Sequence, residues 1–556
     1  MIRQNLESEV DSKNNTTNYI TDFSGIVLTE FQNISVEDVK KMINSSPSKS
    51  CTLDPIPTWL LKQCLDEIAP ALTLIVNASL AFADFSPELK KAFVTPLIKK
   101  AILDCEILKN FRPVSNLSYL SKLIERIVCV QLVDHLKQNN LYELFQSAYR
   151  ALHSTETALL RVHNDLLQAV DSHGGAILVL LDLSAAFDTI DHVKLINILD
   201  RSFGVRGTAL EWFKSYLQDR TQRVQIGNEF SDAQTLKFGV PQGSVLGPIL
   251  FTIYTTPLGN LIRKHGLSLH LYADDTQLYL AFKPTDSMSK EDAIKRIEEC
   301  VVDIKLWMTN NLLKLNDDKT ELIIVTSRES LSKSLGINIK VGDQLITPSE
   351  TPPKNLGVLF DSTCSLKYHV ARICKSLNYQ LYSIGKIRKY LDLSAAKMLM
   401  NAIISSRLDY CNSLLYGINK AQLEQLQRCQ NQAARIVSLR KKYDHITPVL
   451  KDLHWLPVKA RIDFKIMLLT YKALNGIAPL YISELLEPYT PSRALRSSDK
   501  QLLCVPKWRL EGFGGRSFAR FAPSLWNELP MSIRSAPSVE TFKSRLKTHI
   551  FTAIYT

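Results

Sequence analysis

Hydrophobic positions change their period several times along the chain, and each change predicts an element. Val36 to Ile43 has a short helical pattern, and a polar loop follows from Asn44 to Ser50. Trp59 to Phe82 repeats at helical spacing with an interruption expected at Pro70. Ala92 to Ile98 is β-branched and apolar and reads as a strand. Between Leu117 and Leu136, the residues Leu120, Leu123, Ile124, Ile127 and Val128 share one helical face. Thr155 to Val170 is a second amphipathic helix. After Gly174-Gly175 an unbroken apolar run, Ala176 to Leu181, ends at Asp182. Such a run behind a glycine turn predicts a buried strand. Helices are expected over His192 to Leu199, Ala209 to Leu217 and Ser244 to Tyr254, with a strand from Arg223 to Ile226. Leu267 to Tyr272 and Thr276 to Phe282 predict a hairpin with Asp274-Asp275 at its turn. An amphipathic helix, Glu291 to Met308, precedes strands at Leu322 to Val325 and Leu356 to Phe360. From Leu366 to Leu486 the pattern is almost wholly helical. The remainder is punctuated by Arg and Pro, with weaker periodicity.

Composition narrows this picture. The chain has 556 residues, of which 45% are hydrophobic and 22% charged, values that exclude a disordered polymer. The net charge of +12 is unevenly placed. Residues 371–442 carry +10 and residues 491–556 carry +7, which leaves −5 for the rest. Two basic blocks beside a slightly acidic remainder point to surfaces for a polyanion. The ten cysteines include no CxxC pair. They read as reduced thiols, and Cys411, Cys429, His445 and His454 are too irregularly spaced for a zinc site. No apolar stretch approaches the ~20 residues of a membrane span. Polar Arg3, Gln4 and Asn5 argue against a secretory signal, so an intracellular location, nuclear and cytoplasmic, is expected.

Three carboxylates suggest chemistry. Asp182 closes one apolar strand, and Asp274-Asp275 sit at a hairpin tip. Each alone reads as a cap or turn residue. If the strands are neighbours in one sheet, the carboxylates converge and need a cation between them. Hard oxygen ligands suit Mg²⁺, and two such ions would serve nucleotidyl transfer.

These residues also carry a resemblance. Leu181-Asp-Leu-Ser-Ala-Ala-Phe-Asp188, Pro241-Gln-Gly-Ser-Val-Leu-Gly-Pro-Ile-Leu-Phe251 and Tyr272-Ala-Asp-Asp275 occur in the order of the palm motifs of reverse transcriptases. Around them stand Asn110-Phe-Arg-Pro-Val-Ser-Asn-Leu-Ser118, Ser121-Lys-Leu-Ile-Glu-Arg126, Gln146-Ser-Ala-Tyr-Arg150, His153-Ser-Thr155 and Trp212-Phe-Lys-Ser-Tyr-Leu217. Leu315-Asn-Asp-Asp-Lys-Thr-Glu321 and Leu356-Gly-Val358 complete the series. The chain thus resembles the enzymes of non-LTR, LINE-type retrotransposons, near the jockey and chicken-repeat clades, from about residue 35 onward.

The resemblance implies an α+β right-hand polymerase. Its parts would be a polar arm over 1–34, fingers and palm over 35–365 with core motifs at 90–362, a basic helical thumb over 366–445, and a C-terminal region over 446–556. It implies an RNA template, a DNA primer or target, dNTP substrates and two Mg²⁺ or Mn²⁺ ions. Asp182, Asp274 and Asp275 would bind the metals, with the Leu183 carbonyl as a further ligand. Phe187 would exclude a ribose 2′-hydroxyl. Gln242 and Gly243 would border nucleotide and template, Arg150 would grip the incoming triphosphate, and Arg112 would contact template or triphosphate. Lys319 would protonate or neutralise the leaving pyrophosphate, and Leu356-Gly357 would begin the primer-grip hairpin. In the basic blocks, Arg372, Lys375, Lys386, Arg388, Lys389, Arg435, Arg440, Lys441 and Lys442 would track sugar-phosphate backbone. Tyr382, Tyr390 and Tyr416 are explained most simply as helical core packing.

Ala148 and Tyr149 depart from the glycine and phenylalanine of many relatives. Elements of this kind carry an endonuclease ahead of the polymerase, whereas this chain has about 35 residues there and no CCHC knuckle, so a truncated or partial product is expected. An RNA-directed RNA polymerase is disfavoured by Phe187 and Ala273, where such enzymes tend to have Asp and Gly. A decayed copy that only binds nucleic acid is the alternative, although the palm carboxylates, Arg150 and Lys319 are retained.

Overall fold

The computed structural model describes residues 22–490 and 501–555, apart from Ser50, Ala185, Leu335 and Asp343. It is a mixed helix-and-sheet protein that divides into two compact units, each built from several chain segments. Residues 1–149, 182–266 and 300–316 make the first, and 150–181, 267–299 and 317–556 the second. These units do not follow the linear boundaries expected from the motifs. Most of the expected polar arm, residues 1–21, lies outside the described residues, as do residues 491–500 of the tail.

In the first unit, strand Lys91–Ile98 pairs antiparallel with Phe111–Asn116 and parallel with Thr221–Ile226. The expected helix near residue 120 is Tyr119–Gln138, capped by the Ser118 hydroxyl. The helical segment near residue 60 breaks at Cys64 rather than at Pro70, giving Thr58–Gln63 and Leu65–Ala81. Pro70 sits inside the second helix, where it removes a single N–H from the ladder. Residues 22–34 are not a loose arm. Phe31 is buried against Trp212 and Phe213, and the amides of Phe23 and Leu28 donate to Arg201 and Gly204 carbonyls.

The second unit is organised on a four-stranded antiparallel sheet, β1 (Gly175–Leu181), β2 (Ser268–Tyr272), β3 (Asp275–Phe282) and β4 (Glu321–Thr326), in the order β4-β1-β3-β2. Every residue of β1 is buried, which explains its unbroken apolar run. Helix α1 (Thr155–His173) packs on this sheet through Ala158, Val162 and Leu166, and opens with a capping box at Ser154. The expected strand at 356–360 is instead a minimal hairpin, Lys354–Asn355 against Val358–Leu359. Its turn is Leu356-Gly357, both at positive φ.

The helical region follows as predicted, with α2 (Lys367–Ile387), α3 (Lys420–Ser438) and α4 (Val458–Leu474) as its long members. The tail beyond residue 500 docks on the same unit. Asp171 of α1 accepts from the amides of Arg509 (3.1 Å) and Leu510 (2.6 Å). A Cβ on Gly514 would lie 2.4 Å from the Asp171 carboxyl carbon, so a larger residue there would have to displace that carboxylate. Arg516 is half-buried and donates to the carbonyls of Cys364 (3.1 Å) and Tyr416 (3.3 Å). Trp526 and Asn527 bond the backbone at Gln501 and Leu503. The Gly514-Gly-Arg-Ser-Phe518 and Ala522-Pro-Ser-Leu-Trp-Asn-Glu-Leu-Pro530 motifs therefore serve as clasps within this unit.

Candidate active site

The hairpin at the carboxylates forms because strand register leaves two residues for its turn. Tyr272 pairs with Asp275, so Ala273-Asp274 is the turn, and Ala273 takes φ +56°. A left-handed alanine costs roughly 1–2 kcal/mol, a strain concentrated beside two carboxylates. Within the same sheet, Leu181 lies opposite Thr276. The strand that leads into Asp182 thus ends one register step from Asp275. Asp182 itself belongs to the first unit. There its carboxylate accepts from the Asn316 side-chain amide at 3.0 Å, while the Asn316 N–H donates to the Asp182 carbonyl at 2.9 Å. Leu183 pairs with Leu315 just beyond.

The first unit also assembles the predicted nucleotide-side residues. The Phe187 ring stacks on Phe251 at 4.8 Å, and Tyr149 meets it edge-on at 6.5 Å. The Gln242 side-chain amide donates to both oxygens of Asp188 at 2.9 and 3.0 Å. Burial pushes the Asp188 carboxyl up, and the Gln242 bond opposes it. The backbone of Val240 donates to the Phe187 carbonyl (2.9 Å), and Ser115 donates to the Gln242 carbonyl (2.7 Å). Gly243 has φ +129°, and a Cβ there would stand 2.5 Å from the Ser115 oxygen. Close backbone approach leaves room only for glycine. Arg112 is exposed on the strand that also bears Ser115.

Behind this loop, Glu125 is fully buried. Its carboxylate accepts from the amides of Val245 (2.7 Å) and Leu246 (3.1 Å), at the start of helix Gly247–Thr255. Burial drives its pKa up, opposed by the buried Arg220 guanidinium and by those amides. Glu125 therefore fixes the backbone that carries Gln242 and Gly243. Sequence reading placed Glu125 and Asn316 inside motifs without giving them a role, and it left Asp188 unremarked. The one signal available was their position within motif runs.

The other expected residues lie in the second unit. Arg150 begins it, and Lys319 is exposed in the short turn Asp317–Lys319 ahead of β4. Arg440, Lys441 and Lys442 are exposed after α3. Arg435 is half-buried and donates to the Asp444 carbonyl at 3.2 Å. Arg388 is a correction. It is 7% exposed and donates to the carbonyls of Ile436, Val437 and Leu391, so it caps the end of α3 and is withdrawn from solvent. Tyr382 and Tyr390 are a second correction, since they are 62% and 76% exposed rather than core. Tyr416 does pack, stacking on Phe521 at 4.1 Å.

Asp182 in the first unit, and Asp274 and Asp275 in the second, each offer hard oxygens of the kind that suits Mg²⁺. Among the described residues no group of three or more His, Cys, Asp or Glu side chains forms a ready metal cage. Mg²⁺ is ordinarily held by one or two carboxylates, with substrate phosphates completing its shell. No helix among the described residues is long and apolar enough to cross a membrane.

Residues 98–360 match the family described as reverse transcriptase (RNA-dependent DNA polymerase). The chain is 28% identical over 452 residues to the probable RNA-directed DNA polymerase from transposon BS of Drosophila melanogaster, covering 77% of this chain and 47% of that protein. It is 25% identical over 431 residues to the RNA-directed DNA polymerase from mobile element jockey of the same fly, covering 76% and 45%. The chain spans about half the length of the curated relatives it matches. Over residues 98–360 it is thus similar to the reverse transcriptase family.

Proposed function

We propose that this chain is an RNA-directed DNA polymerase of a non-LTR retrotransposon, extending a DNA 3′-hydroxyl on an RNA template with dNTPs. The observation that carries the proposal is register. The apolar strand leading into Asp182 ends opposite Thr276, beside Asp275 at the start of β3 and Asp274 in the turn before it. In a right-hand arrangement the sheet β4-β1-β3-β2 is the palm. The sheet around Lys91–Ile98 belongs to the fingers, and α2 with α3 to the thumb.

Asp182, Asp274 and Asp275, with the Leu183 carbonyl, would hold two Mg²⁺ or Mn²⁺ ions. When bound, these ions activate the 3′-hydroxyl and neutralise charge on the leaving pyrophosphate. The remaining work falls to the chain's own groups. Asn316 orients Asp182, so the carboxylate needs no rearrangement when substrate arrives. Phe187, held between Phe251 and Tyr149, presents a ring where a 2′-hydroxyl would have to sit. Asp188 aims Gln242, and Gly243 lets backbone approach the nucleotide. Arg150 and Arg112 pair with phosphate oxygens, for which a planar multi-donor cation is suited. Lys319 hands a proton to the leaving pyrophosphate.

Primer extension on poly(rA)/oligo(dT) with dTTP and Mg²⁺ tests the proposal. Folded protein should extend the primer, and Asp274→Ala and Asp275→Ala should abolish extension while RNA binding persists. No extension by a folded preparation, or extension indifferent to both substitutions, would refute it.

A further inference from the structure

Helix α2 shows an unusual exposed face. Its inner face, Val370, Leu377, Leu381 and Ile384, is buried, and the helix packs on α3. The opposite face carries Tyr368, Arg372, Lys375, Tyr379, Tyr382 and Lys386, at successive spacings of four, three, four, three and four residues. At about 100° per residue these six fall within an arc of roughly 80° and span about 27 Å of helix. The three tyrosines are 55%, 69% and 62% exposed, and the three cations are exposed as well. The Lys386 ammonium lies 4.4 Å over the Tyr382 ring. The pattern continues past the helix, where Lys389 sits 4.8 Å over Tyr390. The helix contains no Asp or Glu.

We propose that this tyrosine-and-cation stripe is a binding track for single-stranded nucleic acid, with unpaired bases stacking on Tyr379 and Tyr382 and phosphates pairing with Arg372, Lys375 and Lys386. Charge complementarity selects a polyanion, because a face with three cations, on a helix with no acid, repels a basic partner. The rings select its strandedness. A duplex offers a helix face its phosphates, and cations alone meet that need. Open tyrosine rings spaced between cations match a strand whose bases are free to stack.

The inference rests on the nucleic-acid part of the proposed function and is read out separately from it. Anisotropy titrations of the full chain in EDTA, without dNTP, would compare a labelled twelve-nucleotide oligo(rU), an abasic strand with the same phosphates, and a duplex of equal length. Wild type should bind oligo(rU) at least tenfold more tightly than the abasic strand. Tyr379→Leu with Tyr382→Leu should close that gap without altering the salt slope, and the Phe pair, which keeps the rings, should preserve it. Arg372→Gln, Lys375→Gln and Lys386→Gln together should lower the log–log salt slope by about 2.

Equal binding of abasic and base-bearing strands would overturn the proposal. So would Leu variants that weaken duplex binding as much as single-strand binding, or that change only the oligomeric state. A chain that extends primers but shows no base dependence removes this inference alone. Base-dependent binding without extension removes only the polymerase reading.

Discussion

Replacing Gly243 with alanine probes how the nucleotide-side loop is built. The new Cβ would stand 2.5 Å from the Ser115 carbonyl oxygen, at φ +129°. That backbone conformation costs an L-residue roughly 1–2 kcal/mol. Real Cβ contacts essentially never fall below 3.0 Å, so strand or loop must retreat by at least the 0.5 Å between 2.5 and 3.0 Å. The retreat strains the Ser115 to Gln242 hydrogen bond, now 2.7 Å, whose net worth is roughly 0.5–1.5 kcal/mol. The whole perturbation is then about 1.5–3.5 kcal/mol. Gly227→Ala is the internal control. It lies in the same unit with φ +60° and nothing within 4 Å, so it carries the backbone cost alone. Urea unfolding should rank wild type, Gly227→Ala and Gly243→Ala in falling stability, the last two about 1 kcal/mol apart. In primer extension, kcat/KM for dNTP should fall about 10- to 100-fold for Gly243→Ala, because misplacement of Gln242 approaches the ~1 Å that costs 10²-fold, and stay unchanged for Gly227→Ala. Equal stability of the two variants, together with wild-type extension by Gly243→Ala, would refute the close-approach argument.

Further expectations concern the gate, the tail and pH. Phe187→Val should raise incorporation of ribonucleotides relative to deoxyribonucleotides, measured by competitive extension; an unchanged ratio would reduce the ring to core packing against Phe251. Arg516→Lys cannot donate to the Cys364 and Tyr416 carbonyls together. It should destabilise the chain by roughly 1–3 kcal/mol in denaturant unfolding, and an unchanged midpoint would show that the tail is no clasp. Burial raises the Asp463 carboxyl from 3.8 to about 6, with Glu528 adding to the shift and Lys459 opposing it. Its contribution to stability is therefore present below pH ~4 and lost as pH rises through about 6. Asp463→Asn should stabilise by roughly 1–3 kcal/mol at pH 7.5, with the gain vanishing near pH 4. A pH-independent difference would remove the titration from the explanation.

Much of the candidate site was legible in the chain because its parts are local. Asp274-Asp275 are covalent neighbours between two period-2 runs, and Asp182 follows a strand whose residues are all buried. The positions that hold these groups were not legible. Glu125 meets Val245 across 120 positions, and Asp188 meets Gln242 across 54. No spacing rule links residues so far apart. The turn inside 356–360 was missed because two-residue strands leave no period to read. The anchoring of residues 22–34 is not legible in their polar composition, because it rests on one buried ring, Phe31 against Trp212 and Phe213, and on backbone amides such as those of Phe23 and Leu28.

By itself, the sequence determined the local elements, the motif order and the two basic blocks, since all three depend on near neighbours and on counting. Tertiary structure decided what each charge and ring faces. Arg388 and Lys386 are two residues apart in one basic helical run, yet one is buried as a cap on α3 and the other lies over Tyr382 in solvent. Helical spacing assigns residues to faces, but only packing against a second helix decides which face is the core.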